Sequence, residues 1–527
     1  MKPTDGMRRD TTMVTICTLF SRVTGFGRVM AIAAVLGSGV LGDVYHTANM
    51  IPNLMFELVA GGVLQAVLLP SLVTARRGGG DELSDATRAS AGLIIVVLAV
   101  VAAIGLALSP VVARLLLLSE PSAALAEQKA HVMLPMVLVF IPQLVFYGLA
   151  TVTSAALNAR GRFVAAALAP AVNNVIVIAA CLAFRSARDG AVADLDLTAG
   201  QFLLLAGGTT AGVVAFALTP AWALRRSGVR WWPTWRPRHP VVQRMRRSFG
   251  WAALSVVGTL VPTTAALALG NGAEGGVAVF VYAFAFYVLP HALIAVTTAT
   301  TLAPRVADSW QAGDVGEVHG AIDRAMHWAV PLLALAGAGM VALAWPLTRV
   351  VAGIGQTASQ GLAPIAHAMV AFGPGLLGYG VAFVMARVLF SLGDVRRASL
   401  LMIVGAVVGV VGMAVMSWVM PDSDRAAALA IGYGAAQTVS AVLLCRRANR
   451  LTGAFTARRS ITLGLQAAVA SVAAGAVMAS AVTRFDDTRR QALAAFLVAG
   501  SLGVAAFVLV MVTLRRGHLL ARGRSSR

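Results

Sequence analysis

Seven polar residues stand in two long apolar runs. Arg22 and Arg28 lie in the first, within Ser21-Arg22-Val23-Thr24-Gly25-Phe26-Gly27-Arg28. Asp43 opens the second, and His46, Asn49, Asn53 and Glu57 follow at spacings of three or four. That spacing puts His46, Asn49, Asn53 and Glu57 on one face of a helix. A charge at bilayer depth costs about 2.5–3.5 kcal/mol on insertion scales, so it faces a bundle interior or water. Guanidinium forks match phosphate bidentately, and two of them suit a cavity built for an anion. The two arginines are about 120° apart around an ideal helix and ~9 Å apart along it. They do not stack on one face, but both line a broad cavity if Gly25 and Gly27 kink the helix. Glu57, near the middle of its run, needs a partner, a proton or water. The same residues admit two further readings. One is a structural ion pair of Arg22 or Arg28 with Asp43 or Glu57. The other is a cation or proton path in which Glu57 titrates.

The elements that position these residues are membrane helices. Of 527 residues, 58% are hydrophobic and 12% charged, a balance foreign to soluble domains. Fourteen apolar runs are long enough to cross a ~30 Å hydrocarbon core as helices. They cover 11–36, 44–74, 89–117, 130–157, 163–185, 199–224, 249–270, 276–304, 325–353, 363–392, 398–420, 426–445, 461–482 and 491–514. An all-α polytopic bundle follows, because lipid offers backbone groups no other partner. The alternation of a β-barrel is absent. Cys17, Cys181 and Cys445 all fall in apolar runs and read as small buried hydrophobes, not as a disulfide framework or a metal site. The first run is too long for a signal-peptide core and reads as a retained helix.

Net charge is +20. With the N-terminus in the cytoplasm, the N-terminal tail, the even-to-odd connections and the C-terminal tail carry 30 of the 42 basic residues, and the opposite connections carry 7. The positive-inside rule therefore places both termini in the cytoplasm and accounts for the charge without nucleic acid.

The chain repeats at an offset near 233. Leu36-Gly37-Ser38-Gly39 answers Leu269-Gly270-Asn271-Gly272, and Ser109-Pro110 with Arg114 answers Trp345-Pro346 with Arg349. Tyr147-Gly148 answers Tyr379-Gly380, and Gly161 answers Gly393. Six helices per copy make a parallel repeat, for which a site between the halves is expected. The expected organisation is an N-lobe over 1–224 (helices 1–6), a basic cytoplasmic linker over 225–248, a C-lobe over 249–447 (helices 7–12), and two final helices with a basic tail over 448–527. The linker stretch Arg225–Arg247 holds eight arginines, no acid, and Trp231, Trp232 and Trp235; it reads as a membrane-hugging connection.

The second half lacks the charges of the first. Its matching helix carries Tyr282, Tyr287 and His291, with His291 expected to be packed. Arg387 is expected to snorkel toward the cytoplasm. No nucleotide loop, zinc motif or nucleophile elbow is present, so nothing points to an enzyme, a metal or a cofactor.

The opening residues Ser21 to Arg28, then Gly37-Ser38-Gly39, Asp43, Pro52-Asn53-Leu54, Gly62 and Pro70, resemble the MurJ/MviN family, lipid II flippases of the multidrug/oligosaccharidyl-lipid/polysaccharide (MOP) exporter superfamily. Asn158-Ala159-Arg160-Gly161-Arg162-Phe163, with Pro170 and Asn174, resembles the family's fourth-to-fifth helix turn. Arg387-Val388-Leu389-Phe390 with Asp394 resembles its equivalent in the second half. The resemblance implies two six-helix lobes plus two extra helices whose groove takes a polyprenyl tail. It implies that Arg22, Arg28 and Asp43 match charged positions needed for transport. Two departures stand out. The enterobacterial pattern has paired arginines where this chain has Phe56 and Glu57. It also has an arginine within a Tyr-Ala-Asp-Arg run, where this chain reads Tyr282-Ala283-Phe284-Ala285. Forty arginines against two lysines suggest a GC-rich bacterial source.

The expected function is outward flipping of lipid II, the undecaprenyl-pyrophosphate-linked peptidoglycan precursor, across the bacterial inner membrane by alternating access. Arg22 and Arg28 would hold pyrophosphate. Asp43, Asn53 and Glu57 would order the arginines, contact sugar or couple an ion. The alternatives are a MATE-like cation or drug exporter, a flippase for another polyprenyl-pyrophosphate-linked glycan, and a non-transporting scaffold for cell-wall synthesis proteins. The residues leave the driving force open among membrane potential, Na⁺ and H⁺.

Overall fold

The computed structural model describes residues 5–63, 68–189, 191, 194–453, 457–486 and 488–525. For 5–12, 14–15, 59–63, 247–255, 259, 359, 457–461 and 515–525 it describes the backbone alone. Part of the connection between the expected helices 426–445 and 461–482, and the tips of both tails, lie outside the described residues. Every regular element among the described residues is helical. The chain divides into two compact units, Met1–Leu260 and Val261–Arg527.

Unit 1 contains α1 (Asp5–Leu36), α2 (Val40–Val63), α3 (Leu69–Arg77), α4 (Gly80–Leu116), α5 (Ala123–Phe140), α6 (Gln143–Ala159), α7 (Val164–Ser186) and α8 (Ala199–Arg226). It also holds the start of α9 (Pro240–Gly270), the helix in which the unit boundary falls. Unit 2 continues with α10 (Gly276–Gln311), α11 (Val315–Ala342), α12 (Ala344–Val351), α13 (Ala363–Phe372) and α14 (Gly375–Ser391). It ends with α15 (Val395–Val419), α16 (Arg425–Thr452), α17 (Ala457–Val482) and α18 (Arg489–Ser525).

With α5 and α6 taken together as Ala123–Ala159, eleven of the described helices are long and apolar enough to span a membrane, and twelve if the pair α13–α14, bent by 50°, counts as one. The two remaining expected crossings fall on α2, with its polar stripe, and on α9, whose apolar stretch is Val256–Gly270. Of the expected crossings, 130–157 lies within Ala123–Ala159, a single candidate span, and 363–392 falls on the bent pair α13–α14, while 44–74 includes residues 64–67, which lie outside the described residues. A proline stands at the junction within each of the first two. Pro142 precedes α6 and Pro374 precedes α14, and neither can donate the backbone bond that would continue the helix before it.

The repeat persists in the element ends. α6 runs from Gln143 to Ala159 and α14 from Gly375 to Ser391, an offset of 232 at both ends. Both close in the same way. The Arg162 amide donates to Leu157 O at 2.9 Å and the Asp394 amide to Leu389 O at 2.9 Å, across Gly161 (φ 75°) and Gly393 (φ 81°). That is a Schellman closure, which needs the left-handed backbone glycine adopts freely.

The Arg225–Arg247 connection is tied to unit 1. Arg160 Nη1 donates to Ser227 O at 2.6 Å, the Arg230 amide to Ser84 Oγ at 3.3 Å, and the Thr234 amide to Arg88 O at 3.1 Å. Arg236 pairs with Asp85 at 3.1 Å. Gly92 permits this approach, since a Cβ there would stand 2.1 Å from Thr234 O.

Candidate functional site

α1 runs as one helix through both Gly25 and Gly27. These glycines do not break it. Beside Gly25, α7 comes close: Asn174 Nδ2 stands 3.4 Å from where a Cβ would be. It donates to Ser21 O at 3.3 Å and to Thr24 Oγ1 at 3.2 Å. The arginines diverge around this helix. Arg22 is exposed, and Arg28 is partly buried.

Arg28 faces the interior of unit 1. It lies within electrostatic range of Tyr45 and His46 from α2, Tyr147 from α6 and Cys181 from α7. Its Nε is buried and has no hydrogen-bond partner among the described residues. Among the described residues, the salt bridges of unit 1 join Arg88 and Arg236 to Asp85, Lys129 to Glu120 and Arg188 to Asp194; none reaches Arg22 or Arg28.

The walls around Arg28 are held by polar bonds at depth. Tyr45, 1% exposed, shares a 2.8 Å hydrogen bond with Thr209 of α8. Its ring meets His46 and Phe140 edge-on. Gln143 Nε2 donates to Thr210 Oγ1 at 2.7 Å. A π turn, Leu203–Gly207, lies directly before both threonines; such turns insert an extra residue into a helix and recur at functional sites.

Along α2 the polar stripe goes from buried to open. Asp43 is fully buried and His46 is 5% exposed. Asn53 is partly buried and donates to Asn49 O at 2.9 Å, within its own helix. Glu57 is exposed. The stripe therefore shares a face but not an environment.

Sequence reasoning missed Tyr45, Tyr147 and Cys181 as neighbours of Arg28. The first two carry a legible signal, since each is a phenol inside an apolar run. In unit 2 the position answering Tyr147 is Tyr379. It stacks on His291 at 3.7 Å between ring centroids and on Tyr287 at 5.1 Å. His291 is packed, as expected. Arg387 is partly buried, with its guanidinium 5.3 Å from the Phe383 ring centroid. Aromatic rings thus occupy the interior of unit 2.

This arrangement can receive an anion. Among the described residues, the Arg28 guanidinium meets no carboxylate and its buried Nε has no acceptor, with phenols and an imidazole in electrostatic range; a phosphate oxygen supplies an acceptor.

A family model described as Lipid II flippase MurJ matches residues 32–488, a stretch that begins after Arg22 and Arg28. A probable lipid II flippase MurJ of Haemophilus influenzae is 24% identical over 534 residues, spanning 96% of this chain and 100% of that protein. One from Rhizobium meliloti is 28% identical over 366 residues, 68% of this chain and 66% of that protein. Among solved structures, a lipid II flippase MurJ in an inward closed conformation aligns with TM-score 0.76 at 16% identity, covering 96% of this chain and all of that one. An inward-facing MATE family transporter of the MOP superfamily aligns with TM-score 0.65 at 15% identity, over 81% of this chain and 94% of that one.

Proposed function

The chain belongs to the lipid II flippase MurJ family, and we propose that it carries lipid II from the cytoplasmic to the outer leaflet of a bacterial inner membrane by alternating access. The observation that carries this reading is Arg28. A family match over most of the chain coincides with a guanidinium whose buried Nε has no acceptor. In the bound state Arg28 gives its fork to the pyrophosphate, and Arg22 adds a second cation about two turns earlier. Asp43, Asn53 and Glu57 order these groups or meet the sugar. Both termini face the cytoplasm, as the 30-to-7 division of basic residues requires. The protein works beside the cell-wall synthesis proteins that consume its product.

A cation exporter is the second reading, and Glu57 is the residue that favours it. The deciding experiment uses vesicles containing the full chain, with labelled lipid II in one arm and a permeant organic cation in the other. Lipid II exposure on the far leaflet that depends on the protein is the expected result. Cation efflux with no lipid II movement reverses the assignment.

A further inference from the structure

Unit 2 contains a cavity of about 390 Å³ between α10 and α11, well away in sequence from the arginines of α1. Thr297, Thr298, Thr301 and Arg305 line it from α10, and Arg324 and Trp328 from α11. Each set follows helical spacing, so each forms one wall. Ala321 and Ala325 lie on the α11 side and leave room. The volume is within the range of small-ligand pockets, about 300–1,000 Å³.

The wall chemistry is selective. Thr297, Thr298 and Thr301 each donate their hydroxyl to a carbonyl of their own helix. Their donors are used, so they offer lone pairs, which accept from sugar hydroxyls and not from phosphate oxygens. Arg305 is exposed and holds no salt bridge or hydrogen bond among the described residues. Arg324 is steadied by Glu317 at 2.7 Å. Trp328, 73% exposed, presents an apolar plane beside these charges. Cation, acceptor row and open indole together match one kind of group: a sugar joined to a phosphate. The α10–α11 connection, which carries Arg305 and Arg324 beside Asp308, Asp314, Glu317 and Asp323, is among those that the positive-inside division assigns to the cytoplasm.

We infer that this cavity binds the glycosyl-phosphate head of a lipid on the cytoplasmic side. Arg305 and Arg324 hold the phosphate, Trp328 packs against the sugar ring, and the threonines accept from its hydroxyls. It is a loading site on unit 2. The inference rests on the flippase reading for the identity of its natural ligand, though not for its chemistry.

The test uses the full chain in nanodiscs of zwitterionic lipid and two probes with the same photoreactive group. One is a short-chain polyprenyl diphosphate carrying a disaccharide; the other is phosphatidylglycerol. The glycolipid labels peptides within 297–328, and phosphatidylglycerol neither labels them comparably nor competes. Arg305→Gln lowers labelling about thirtyfold, as for the loss of one charge-assisted contact. Arg305→Lys keeps part of it, and Trp328→Ala lowers it independently; both report on the cavity if Arg305→Gln does not fold. Equal labelling by phosphatidylglycerol, or labelling indifferent to all three substitutions, overturns the inference. Lipid II transfer by the unmutated protein is read in parallel. Transfer without cavity labelling removes this site and leaves the flippase reading intact; labelling without transfer does the reverse.

Discussion

Asn174 of α7 is bonded to Thr24 of α1, its amide 3.2 Å from the threonine hydroxyl and 3.3 Å from the carbonyl of Ser21. This pair fastens α7 to α1 between the two arginines. Polar bonds between membrane helices contribute about 0.6–2 kcal/mol. Asn174→Ala is expected to destabilise unit 1 by about 1 kcal/mol and to slow lipid II transfer several-fold by loosening the register of α1. Thermal unfolding and vesicle transfer measure the two effects. An unchanged melting curve with unchanged transfer denies the tie any role.

Arg22 and Arg28 differ in exposure, and lysine separates them. Both alanine variants are expected to fail in complementing a flippase-depleted strain at near-normal protein levels. Losing one charge-assisted contact costs about 2 kcal/mol, or roughly thirtyfold in affinity. Arg22→Lys keeps an exposed charge and should recover much of the function. Arg28→Lys should recover less, because its buried Nε and planar fork have no lysine equivalent. Full complementation by Arg28→Ala would falsify the anion site.

Much of this fold is written in punctuation. Gly161 and Gly393 mark matched helix ends because both need positive φ, and the charge division needs no structure at all. The divergence of Arg22 and Arg28 follows from a 100° step per residue. Pro142 and Pro374, which stand at the junctions within 130–157 and 363–392, are equally legible. What periodicity could not supply is the company of Arg28. Tyr45, Tyr147 and Cys181 come from three helices more than a hundred residues apart at the extremes, and inside apolar runs such residues look like filling. Nor could spacing foretell that His46 is buried and Glu57 exposed. Helical phase assigns a face, and only the neighbouring helices decide how far along the helix that face is covered.

Lys129 and Glu120 form an ion pair at 2.6 Å with side chains 0% and 4% exposed. Removing one partner from a buried pair strands the other charge, at a cost of about 3–5 kcal/mol. Lys129→Met is expected to lower the thermal midpoint strongly. Lys129→Met with Glu120→Gln should regain more than half of the loss. A double variant as unstable as the single one shows that packing of Lys129, not its charge, is what matters.

The basic connection should respond to acid. Burial holds the His239 imidazole below its ordinary range, helped by Arg236 and Arg244 and opposed by Asp85 and Glu82. The docked connection then binds fewer protons than the released one. Docking stability is fully present above about pH 6.5 and declines as pH falls below it. Protonation also removes Nδ1 as acceptor for the Val241 amide, 3.3 Å away. Hydrogen exchange at Arg230 and Thr234, corrected for intrinsic rate, is expected to quicken between pH 7.5 and 5.5. His239→Asn should abolish the change; equal protection at both values contradicts it.

Glu57 separates the two transport readings. It is exposed, and no salt bridge joins it to Arg22 or Arg28 among the described residues. In a flippase its carboxylate lies near an anionic cargo and contributes repulsion. Glu57→Gln should then keep or tighten lipid II binding, while release slows if the tighter state is the loaded one. In a cation exporter the same carboxylate exchanges cargo for a proton, and neutralising it ends pH-dependent transport. The substitution preserves shape, so folding does not confound the comparison. Retained lipid II transfer in Glu57→Gln vesicles, with an unaltered response to pH, is the expected result. Cation efflux that ends with Glu57→Gln assigns the carboxylate to cation exchange and overturns the flippase assignment.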